Sequence, residues 1–303
     1  MQIDDSNLGA VFDLLEAGFP TRSRAFWERG IARLQSLTAH ARDGEPIGYV
    51  LETKGKIVGV GLTAISDRPL IGHTACARAS ACSETRTHRY INLASWYIAP
   101  EHRWRMPILL KKMLNDKAAI YTDLTPTDAV QPILTTLGFE PINGGVKVIN
   151  TAIAACGAHR DAIVQEWNSD TTSQDRHVHD RDTTARRDII DAHCDLGCIA
   201  FEVLTPGGSA LVALKPTKVK QLRAAQVVLS TDNNVLETAL ASISRALVAR
   251  GYLALIMDIA PDRPETSTLS QLALPKRRKR FIKNAKPNGG TDYAYSELVL
   301  FDL

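Results

Sequence analysis

The amino-acid sequence predicts an α/β protein made of two consecutive units, each a mixed sheet with flanking helices. Three observations lead to this fold class. The length of 303 residues suits about two domains of ~150 residues each. In the first half, apolar residues repeat at helical spacing and then in β-branched, strand-like runs. The second half repeats part of that order, from a hairpin to a strand, a helix and a further strand.

The first 66 residues predict two helices and a β-hairpin. Apolar residues at helical spacing run through SNLGAVFDLLEAGF, and TRSRAFWERGIARLQSL follows as a second helix after Pro20. In that second helix Trp27 shares a face with Ile31 and Leu34, which predicts a core position. The spacing of the apolar residues then changes from helical to strand-like. IGYVLETKGKIVGVGLTAIS contains two β-branched runs joined by a Lys-Gly turn, which predicts a β-hairpin.

The next segments alternate strands and helices up to residue 150. RYINLASWYIA predicts a strand, PILLKKMLNDKA a short helix and AIYTDLTP another strand. TDAVQPILTTLGFEPI predicts a helix that ends at Gly138 and leads into a strand. The predicted order is therefore two helices, two hairpin strands, and then strand, helix, strand, helix, strand.

A polar stretch separates this unit from the second one. Residues 158–188 lose nearly all apolar periodicity, so we interpret their middle as a solvated linker. After it come the hairpin CIAFEVLTPGGSALVALKP, the strand RAAQVVLST, a helix that ends at Gly251, and strands YLALIMDIA and DYAYSELVLFDL. The predicted organisation is a first unit over 1–150, a helix and polar linker over 151–188, and a second unit over 189–303.

Composition and cysteine usage indicate an ordinary cytoplasmic protein. Apolar residues make up 45% and charged residues 23% of the chain, and the net charge is +3. No run approaches the ~20 apolar residues of a membrane-spanning helix, and the start MQIDDSNLG has no basic region before an apolar core. The five cysteines include no CxxC pair, which favours free thiols in a reducing compartment. We therefore expect a cytoplasmic location and no membrane partner.

Two clusters of polar residues are explained best as solvated segments. The basic run Pro275–Arg280 could contact RNA, an anionic polysaccharide or a phosphate, but it has no interleaved aromatic residues for base stacking. We therefore favour a solvated loop and do not expect a nucleic-acid partner. The HVHD sequence at His177–Asp180 contains ligand types for a transition metal. Because it lies in the polar linker, no metal site is predicted.

The stretch SWYIAPEHRWRMPILLKKML, from Ser95 to Leu114, predicts a strand that turns into an amphipathic helix. The first amides of a helix have no intrahelical partners, so such a turn offers free donors and the positive end of the helix dipole. Arg103 and Arg105 add charge, and Pro107 suits the first helical turn. This combination predicts a phosphate or pyrophosphate site.

Three patterns in the first half resemble the GNAT acyltransferases: the hairpin IGYVLETKGKIVGVGLTAIS, the strand-turn-helix WYIAPEHRWRMPILL and the helix end LTTLGFEPI. More narrowly, GFPTRSRAFWERGIARL with INLASWYIAPEHR resembles a group of bacterial GNAT-like proteins. The resemblance covers roughly residues 1–150, and the element order extends it to a second, degenerate GNAT-like unit. It implies transfer of an acyl group from acetyl-CoA or another acyl-CoA to an amine or, less often, a hydroxyl.

The resemblance also implies where the CoA would bind. In the superfamily the turn after the fourth strand reads R-x-x-G-x-G/A, and its small residues let backbone amides reach the pyrophosphate. Arg103 matches the first position, but Met106 and Ile108 stand where small residues belong. The second unit has no such turn, and Asp232 at the corresponding place would repel phosphate. The cofactor-binding residues implied are Tyr97, Ile98, Ala99, Arg103, Trp104, Arg105, Met106 and Ile108.

The residues for acid–base chemistry depart from the superfamily pattern. Leu134 stands where many members carry a tyrosine acid, and leucine cannot donate a proton. Tyr97 and Tyr121 are the available phenols, Asp123 shares a strand with Tyr121, and the fourth strand has no glutamate base.

Two functions therefore stay open. One is an acyl-CoA-dependent acyltransferase, and the other is a GNAT-shaped binding or scaffolding protein without chemistry. The acceptor is a small molecule or a modified protein. The second half is a lid, an acceptor-side wall or a homodimer surface.

Overall fold

The computed structural model describes residues 1–39, 45–71, 73–75, 87–157, 161–168, 181–261, 268–275, 278–287 and 289–301. Two mixed sheets with flanking helices form the framework, as the sequence predicts. The elements of the first half are α1 Leu8–Gly18, α2 Arg24–Ala39, β1 Gly48–Thr53, β2 Lys56–Pro69, β3 His73–Ala75, β4 Thr87–Ile98, a 3₁₀ helix Pro100–Arg105, α3 Met106–Met113, β5 Ile120–Asp123, α4 Gln131–Thr136, β6 Glu140–Pro141 and β7 Gly145–Asn150.

The remaining elements begin with a short helix and end with one. They are α5 Thr151–Ala155, β8 Ile163–Glu166, α6 Arg181–Asp195, β9 Ile199–Thr205, β10 Gly208–Val219, β11 Leu222–Ser230, α7 Asn233–Thr238, α8 Leu240–Ala249, β12 Ala254–Ile259, β13 Gln271–Pro275, β14 Phe281–Lys283, β15 Ala285–Pro287, β16 Thr291–Asp292 and α9 Glu297–Leu300.

The first sheet has the strand order β1-β2-β4-β5-β14-β6. Its pairs are antiparallel except β4 with β5, which run parallel over three residue pairs, from Tyr90 with Ile120 to Asn92 with Thr122. Beyond Asn92 the strands separate, and β4 continues for six residues without β5. A cleft therefore opens between them.

The second sheet repeats this scheme. Its order is β13-β7-β12-β11-β10-β9-β8, with β16 added beside β11. The antiparallel strands β9, β10 and β11 correspond to β1, β2 and β4, and β11 and β12 run parallel over three residue pairs, from Ala224 with Ala254 to Gln226 with Ile256. The predicted fold class, two α/β units of the same plan, is confirmed.

The two units exchange strands. In the first sheet the position between β5 and β6 is filled by β14, which comes from the C-terminal part of the chain. In the second sheet the corresponding position between β12 and β13 is filled by β7, which comes from the N-terminal part. Each sheet is thus completed by the other half. The limits 1–150, 151–188 and 189–303 that the sequence suggests for the two units and the linker stay a prediction.

Buried apolar residues join the two units into one body. One cluster combines Ile71 and Ile120 of the first half with Ile189, Val228 and Val299 of the second. At this junction Arg68 of β2 forms a buried ion pair with Asp292 of β16, at 2.5 Å. The side chains are only 5% and 0% exposed, so the pair is shielded from solvent.

The first unit's own core lies under α1 and α2. Trp27, Ile31 and Leu34 are buried there together with Val60 and Leu62 of β2. The prediction that Trp27 is a core residue is confirmed.

Two sequence-based expectations are wrong. The last segment, expected as a strand, forms the short strand β16 and then the buried helix α9. The basic run was expected to be solvated; residues 276–277 lie outside the described residues and Arg278 is exposed, but Arg280 is 1% exposed, lies 3.3 Å from the Asp258 carboxylate and stacks over Tyr293. His177–Asp180 lies outside the described residues.

Across the described part of the chain, no helix has both the length and the apolar character needed to cross a membrane.

Candidate functional site: the β4–β5 cleft

The cleft between β4 and β5 holds a cavity of about 500 Å³, which we call the β4–β5 cleft. Its floor is β4 from Leu93 to Ile98. Gly18 at the end of α1 and the following Phe19 form one wall, and the segment from the end of β5 at Asp123 to Ile133 contributes the other. Because β4 has no strand partner on this side beyond Asn92 among the described strands, its edge is open to a ligand.

The shape of the floor follows from an irregularity in β4. Leu62 of β2 pairs with Ser95, but the next residue, Thr63, pairs with Leu93, so Ala94 is an extra residue in β4. Such a bulge bends its strand and increases the local twist. The bulge lies directly after the last β4–β5 pair, where the two strands separate.

Tyr97 lines the cleft and packs closely on the end of α1. A Cβ atom added to Gly18 would overlap the Tyr97 ring, so only glycine allows this approach. The ring of Phe19 lies 6.2 Å from that of Tyr97. The structure therefore places Tyr97 and Ile98 in the lining of the cavity.

Tyr121 faces a different environment. Its hydroxyl donates to the Asp116 carbonyl oxygen and accepts from the Asp116 backbone amide, both at 2.9 Å. The side chain is buried in the cluster under α3, and this burial raises the pKa of its phenol. The structure does not bring Tyr121 together with Tyr97.

The turn between β4 and α3 differs from the expected one. Residues Pro100–Arg105 form a 3₁₀ helix that leads directly into α3. The Met106 amide donates to the Arg103 carbonyl oxygen, and Pro107 has no amide hydrogen. The Met106 amide is therefore not one of the free donors that the sequence predicts for this turn.

The two arginines of the turn point to different partners. Arg105 donates to the Glu52 carbonyl oxygen at 3.0 Å and to the Thr53 hydroxyl, and so ties the turn to the end of β1. Arg103 is exposed and lines the cavity. Of the two, Arg103 is the residue available to a ligand in the cleft.

The other predicted cofactor residues of the turn lie at different depths. Ala99 precedes the 3₁₀ helix, and its amide donates to the Val58 carbonyl oxygen at 2.9 Å. Trp104 is 74% and Ile108 45% exposed, whereas Met106 lines the cavity. Neither Trp104 nor Ile108 is among the residues that line the cleft.

Two buried carboxyl groups meet beside the cavity. Asp123, the last residue of β5, lines the cleft although it is only 3% exposed. Glu297, at 0% exposure, comes from α9. Its Oε1 accepts from the Leu124 amide at 3.2 Å and from the Thr125 hydroxyl at 3.1 Å. A residue from the second half of the chain thus lies behind the wall of the first unit's cleft and is bonded to it.

Asn92 holds this arrangement together. Its amide nitrogen donates to the Thr122 carbonyl oxygen at 3.3 Å and to the Thr122 hydroxyl oxygen at 3.1 Å. Its side-chain oxygen accepts from the Glu297 backbone amide at 3.0 Å. One side chain therefore links β4, β5 and α9 at the point where the cleft opens.

Both carboxyl groups favour their protonated forms. Burial raises the pKa of Asp123 well above its usual range, and the charge of Glu297 adds to the rise. Burial also raises the pKa of Glu297, from 4.5 to about 7, against hydrogen bonds that lower it. Because each charge disfavours the other, the pair keeps a proton near neutral pH. A carboxyl group poised in this way is suited to exchange a proton with a bound molecule.

Sequence reasoning noted Asp123 only as a neighbour of Tyr121 and missed Glu297. The available signal was a glutamate inside the apolar run YSELVLF, preceded by a serine. Charged side chains are almost never fully buried without a partner or a function, so a glutamate there marks a candidate site.

The residues of the cleft fit the acyl end of a CoA thioester better than its diphosphate. The open β4 edge and the cavity can take an extended, amide-containing arm. At the mouth, Arg103 supplies one charge, but the turn lacks the free Met106 amide. In the second unit, the corresponding helix start is filled by Asp232, whose carboxylate accepts from the Asn234 amide at 2.8 Å.

Comparison with known proteins supports the fold. No family model matches the chain, and no curated protein gives a significant match. The chain is similar to the solved structure of a GCN5-related N-acetyltransferase from Kribbella flavida, with 14% identity and a TM-score of 0.53; the match covers 93% of this chain and 69% of that one. It is also similar to a GCN5-related N-acetyltransferase from Anabaena variabilis, with 11% identity and a TM-score of 0.55. That match covers 94% of this chain and 72% of the other.

A third similar structure is a conserved protein of unknown function from Enterococcus faecalis, described as a probable N-acyltransferase. It has 10% identity and a TM-score of 0.51, and the match covers 95% of this chain and 70% of that one. At such identities these likenesses establish the fold alone. The chain has the fold of the GCN5-related N-acetyltransferases along nearly its whole length, and the predicted resemblance is confirmed at that level.

Proposed function

We propose that this protein transfers an acyl group from an acyl-CoA thioester to an amine or hydroxyl acceptor in the β4–β5 cleft. The observation that carries the proposal is the buried pair of Asp123 and Glu297 beside an open strand edge. The acyl-CoA supplies an acyl group activated as a thioester. The cytoplasm is the proposed location.

The proposed roles follow from where each side chain lies. The edge of β4 from Leu93 to Ile98 holds the acyl-pantetheine arm, and Arg103 meets the phosphates. Above about pH 7 the Asp123–Glu297 pair carries one negative charge, since the pKa of Glu297 is about 7, and in this form the pair accepts, through Asp123 at the cavity, the proton that leaves the acceptor. Tyr97 lines the same cavity, where its hydroxyl supports protonation of the departing thiolate.

Turnover tests this function. Purified protein is incubated with acetyl-CoA or longer acyl-CoAs and a panel of amines and alcohols, and free CoA is quantified by chromatography. Asp123→Asn should lower kcat by about 100-fold or more, since positioned acid–base groups typically contribute 10²–10⁴-fold. Asp128→Asn is the matched control, because Asp128 bonds Gln131 on the protein surface. Undiminished turnover in Asp123→Asn would contradict the proposed role.

Binding of CoA is tested separately. Arg103→Ala should weaken CoA binding about tenfold or more, because a charge-assisted hydrogen bond contributes about 1.5–3 kcal/mol and about 1.4 kcal/mol is a factor of ten. Pantetheine, which lacks the phosphates, should bind the variant and the wild type alike. Arg105→Ala should leave CoA affinity unchanged and lower stability, since Arg105 is bonded to β1.

One observation favours a second candidate function, a GNAT-shaped binding protein without chemistry. The Met106 amide is occupied, and Met106 and Ile108 stand where small residues would allow CoA to approach. CoA binding without turnover for any acceptor would support this candidate. Absence of CoA binding at millimolar concentration would exclude the acyltransferase.

A further inference from the structure

An exposed apolar and basic surface borders the mouth of the β4–β5 cleft. It lies on the outer side of α3 and of the 3₁₀ helix before it, and we call it the α3 surface. Its members are all exposed: Trp104, Pro107, Ile108, Lys111 and Lys112. We propose that this surface binds an acidic carrier protein, whose phosphopantetheine arm delivers a thioester-bound acyl group into the cleft. The inference rests on the proposed function, and it names the preferred acyl donor of that reaction.

The helix holds these side chains on one face. Lys111 and Lys112 follow Ile108 by three and four residues, which is the spacing of neighbours on a helix face. The other face of α3 supplies the residues that are buried in the first unit, so the outer face is held rigidly toward solvent. Trp104 lies four residues before Ile108, and the two side chains are 74% and 45% exposed. Tryptophan is enriched at protein interfaces and among the residues that contribute most to binding.

Positive charge surrounds the apolar residues. Lys54 and Lys56 are exposed on the turn between β1 and β2, and Arg105 joins the end of β1 to the start of α3 by donating to the Glu52 carbonyl oxygen at 3.0 Å. Together with the two lysines of the α3 surface, these groups outnumber the exposed acidic side chains of β1 and the 3₁₀ helix, which are Glu52 and Glu101. A surface of net positive charge attracts an acidic partner and speeds its association.

The turn suits a carrier-bound arm better than CoA. CoA brings a diphosphate and an adenosine, but the Met106 amide is occupied, and Met106 and Ile108 stand where small residues would admit these groups. The arm of a carrier protein ends in a single phosphodiester, and Arg103 at the cavity supplies one charged partner for it. The floor of the cleft from Leu93 to Ile98 receives either donor, because both contain the same pantetheine. CoA therefore stays a ligand, but it lacks the contacts that a carrier makes with the α3 surface.

A protein fits the α3 surface better than a membrane or a nucleic acid does. α3 has only eight residues, and the surface presents one tryptophan, one isoleucine and one proline, which is a smaller apolar face than an interfacial helix buries in lipid. It contains a single aromatic residue, whereas stacking of successive bases needs several. One aromatic anchor surrounded by charged residues is instead the composition of a protein-interface hot spot.

Transfer from the carrier involves the same bond changes as transfer from CoA. The nitrogen or oxygen of the acceptor attacks the thioester carbonyl carbon, and the new C–N or C–O bond forms as the C–S bond breaks. The proton that the acceptor loses ends on the sulfur of the arm. The carrier therefore leaves with a free thiol.

Calorimetric binding of a bacterial acyl carrier protein to the full chain tests the interaction. The holo form, which has the arm, should bind at least about tenfold more tightly than the apo form. Trp104→Ala, and the double change Lys111→Glu with Lys112→Glu, should each weaken holo-carrier binding about tenfold or more, as loss of a hot spot or of complementary charge does. Leu222→Ala and Lys218→Glu are the matched controls, because both residues are exposed on the second sheet. Unchanged affinity in both α3 variants would overturn the proposal.

Turnover identifies the preferred donor. With the acceptor that the turnover assay identifies, kcat/KM for the acetylated carrier should exceed that for acetyl-CoA at least about tenfold. The double lysine variant should lower the first value and leave the second unchanged, because Lys111 and Lys112 do not line the cleft. Equal kcat/KM values for the two donors would overturn the proposal.

The results separate this inference from the proposed function. Holo-carrier binding that depends on Trp104, without acyl transfer from either donor, would contradict the acyltransferase and keep the binding surface. Acyl transfer from acetyl-CoA without any carrier binding would keep the acyltransferase and overturn the inference. Binding to phosphatidylserine vesicles or duplex DNA that Trp104→Ala abolishes, with no carrier binding, would assign the α3 surface to another partner and also overturn it.

Discussion

Replacing Glu297 by glutamine should make the protein more stable at alkaline pH. Burial raises the pKa of Glu297 from 4.5 to about 7, so between these values the native state holds a proton that the unfolded chain has released. Stability therefore falls as the pH rises through this window. A difference of about 2.5 in pKa, at about 1.4 kcal/mol for each unit, corresponds to about 3 kcal/mol.

Glutamine has the shape of the protonated acid and cannot ionise. Its oxygen can still accept from the Leu124 amide and the Thr125 hydroxyl, as Glu297 Oε1 does. The variant should therefore match the wild type within about 1 kcal/mol at pH 5 and exceed it by about 3 kcal/mol at pH 8.

Urea unfolding at both pH values, followed by tryptophan fluorescence, measures this difference. Glu140→Gln is the control, because Glu140 is exposed and should show no such change. A stability gap that is the same at pH 5 and pH 8, or a variant that is less stable at pH 8, would refute the reasoning. If turnover falls in the stabilised variant, the ionisable Asp123–Glu297 pair lowers the stability of the protein but is needed for its activity, as is common at functional sites.

Two further predictions concern packing and buried charge. Gly18→Ala should displace the Tyr97 ring, which its Cβ would overlap, and lower ligand affinity in the cleft by about tenfold. Gly9→Ala in the same helix meets no atom within 4 Å, so it should keep affinity and raise stability by about 0.5–1 kcal/mol. Equal affinities of the two variants would show that Tyr97 does not shape the site. Arg68→Met should destabilise the protein by about 3–5 kcal/mol in urea unfolding, because it removes the positive charge that compensates the buried Asp292 carboxylate. A second change, Asp292→Asn, should recover part of this loss, and a double variant less stable than Arg68→Met would contradict the ion-pair argument.

The sequence predicts the framework of each unit because its strands and helices carry strong local periodicity. The hairpin β1–β2 follows from β-branched runs around a Lys-Gly turn, and α2 from the spacing of Trp27, Ile31 and Leu34. These signals depend only on neighbouring residues. They also reproduce the order of elements that the two sheets share.

The strand exchange could not be predicted in this way. β14 has three residues and β6 has two, and segments of that length have no distinctive period. Their partners lie more than 130 residues away, as in the pairing of Phe281 with Asp123. The segment that carries Glu297 shows the same difficulty, since its short apolar run fits a strand or a buried helix equally well.

The C-terminal segment explains how the second half serves the first unit. Residues 281–283 fill the first sheet, Glu297 bonds to Leu124 and Thr125 beside the cleft, and Phe301 packs on Gly30 of α2, where any larger residue would overlap its ring. The chain reaches these places only after it has passed through the second sheet. Since that sheet in turn needs β7 between β12 and β13, neither unit can complete its sheet without the other. The cleft is therefore a property of the whole described chain, and the second unit supports it without having a phosphate-binding turn of its own.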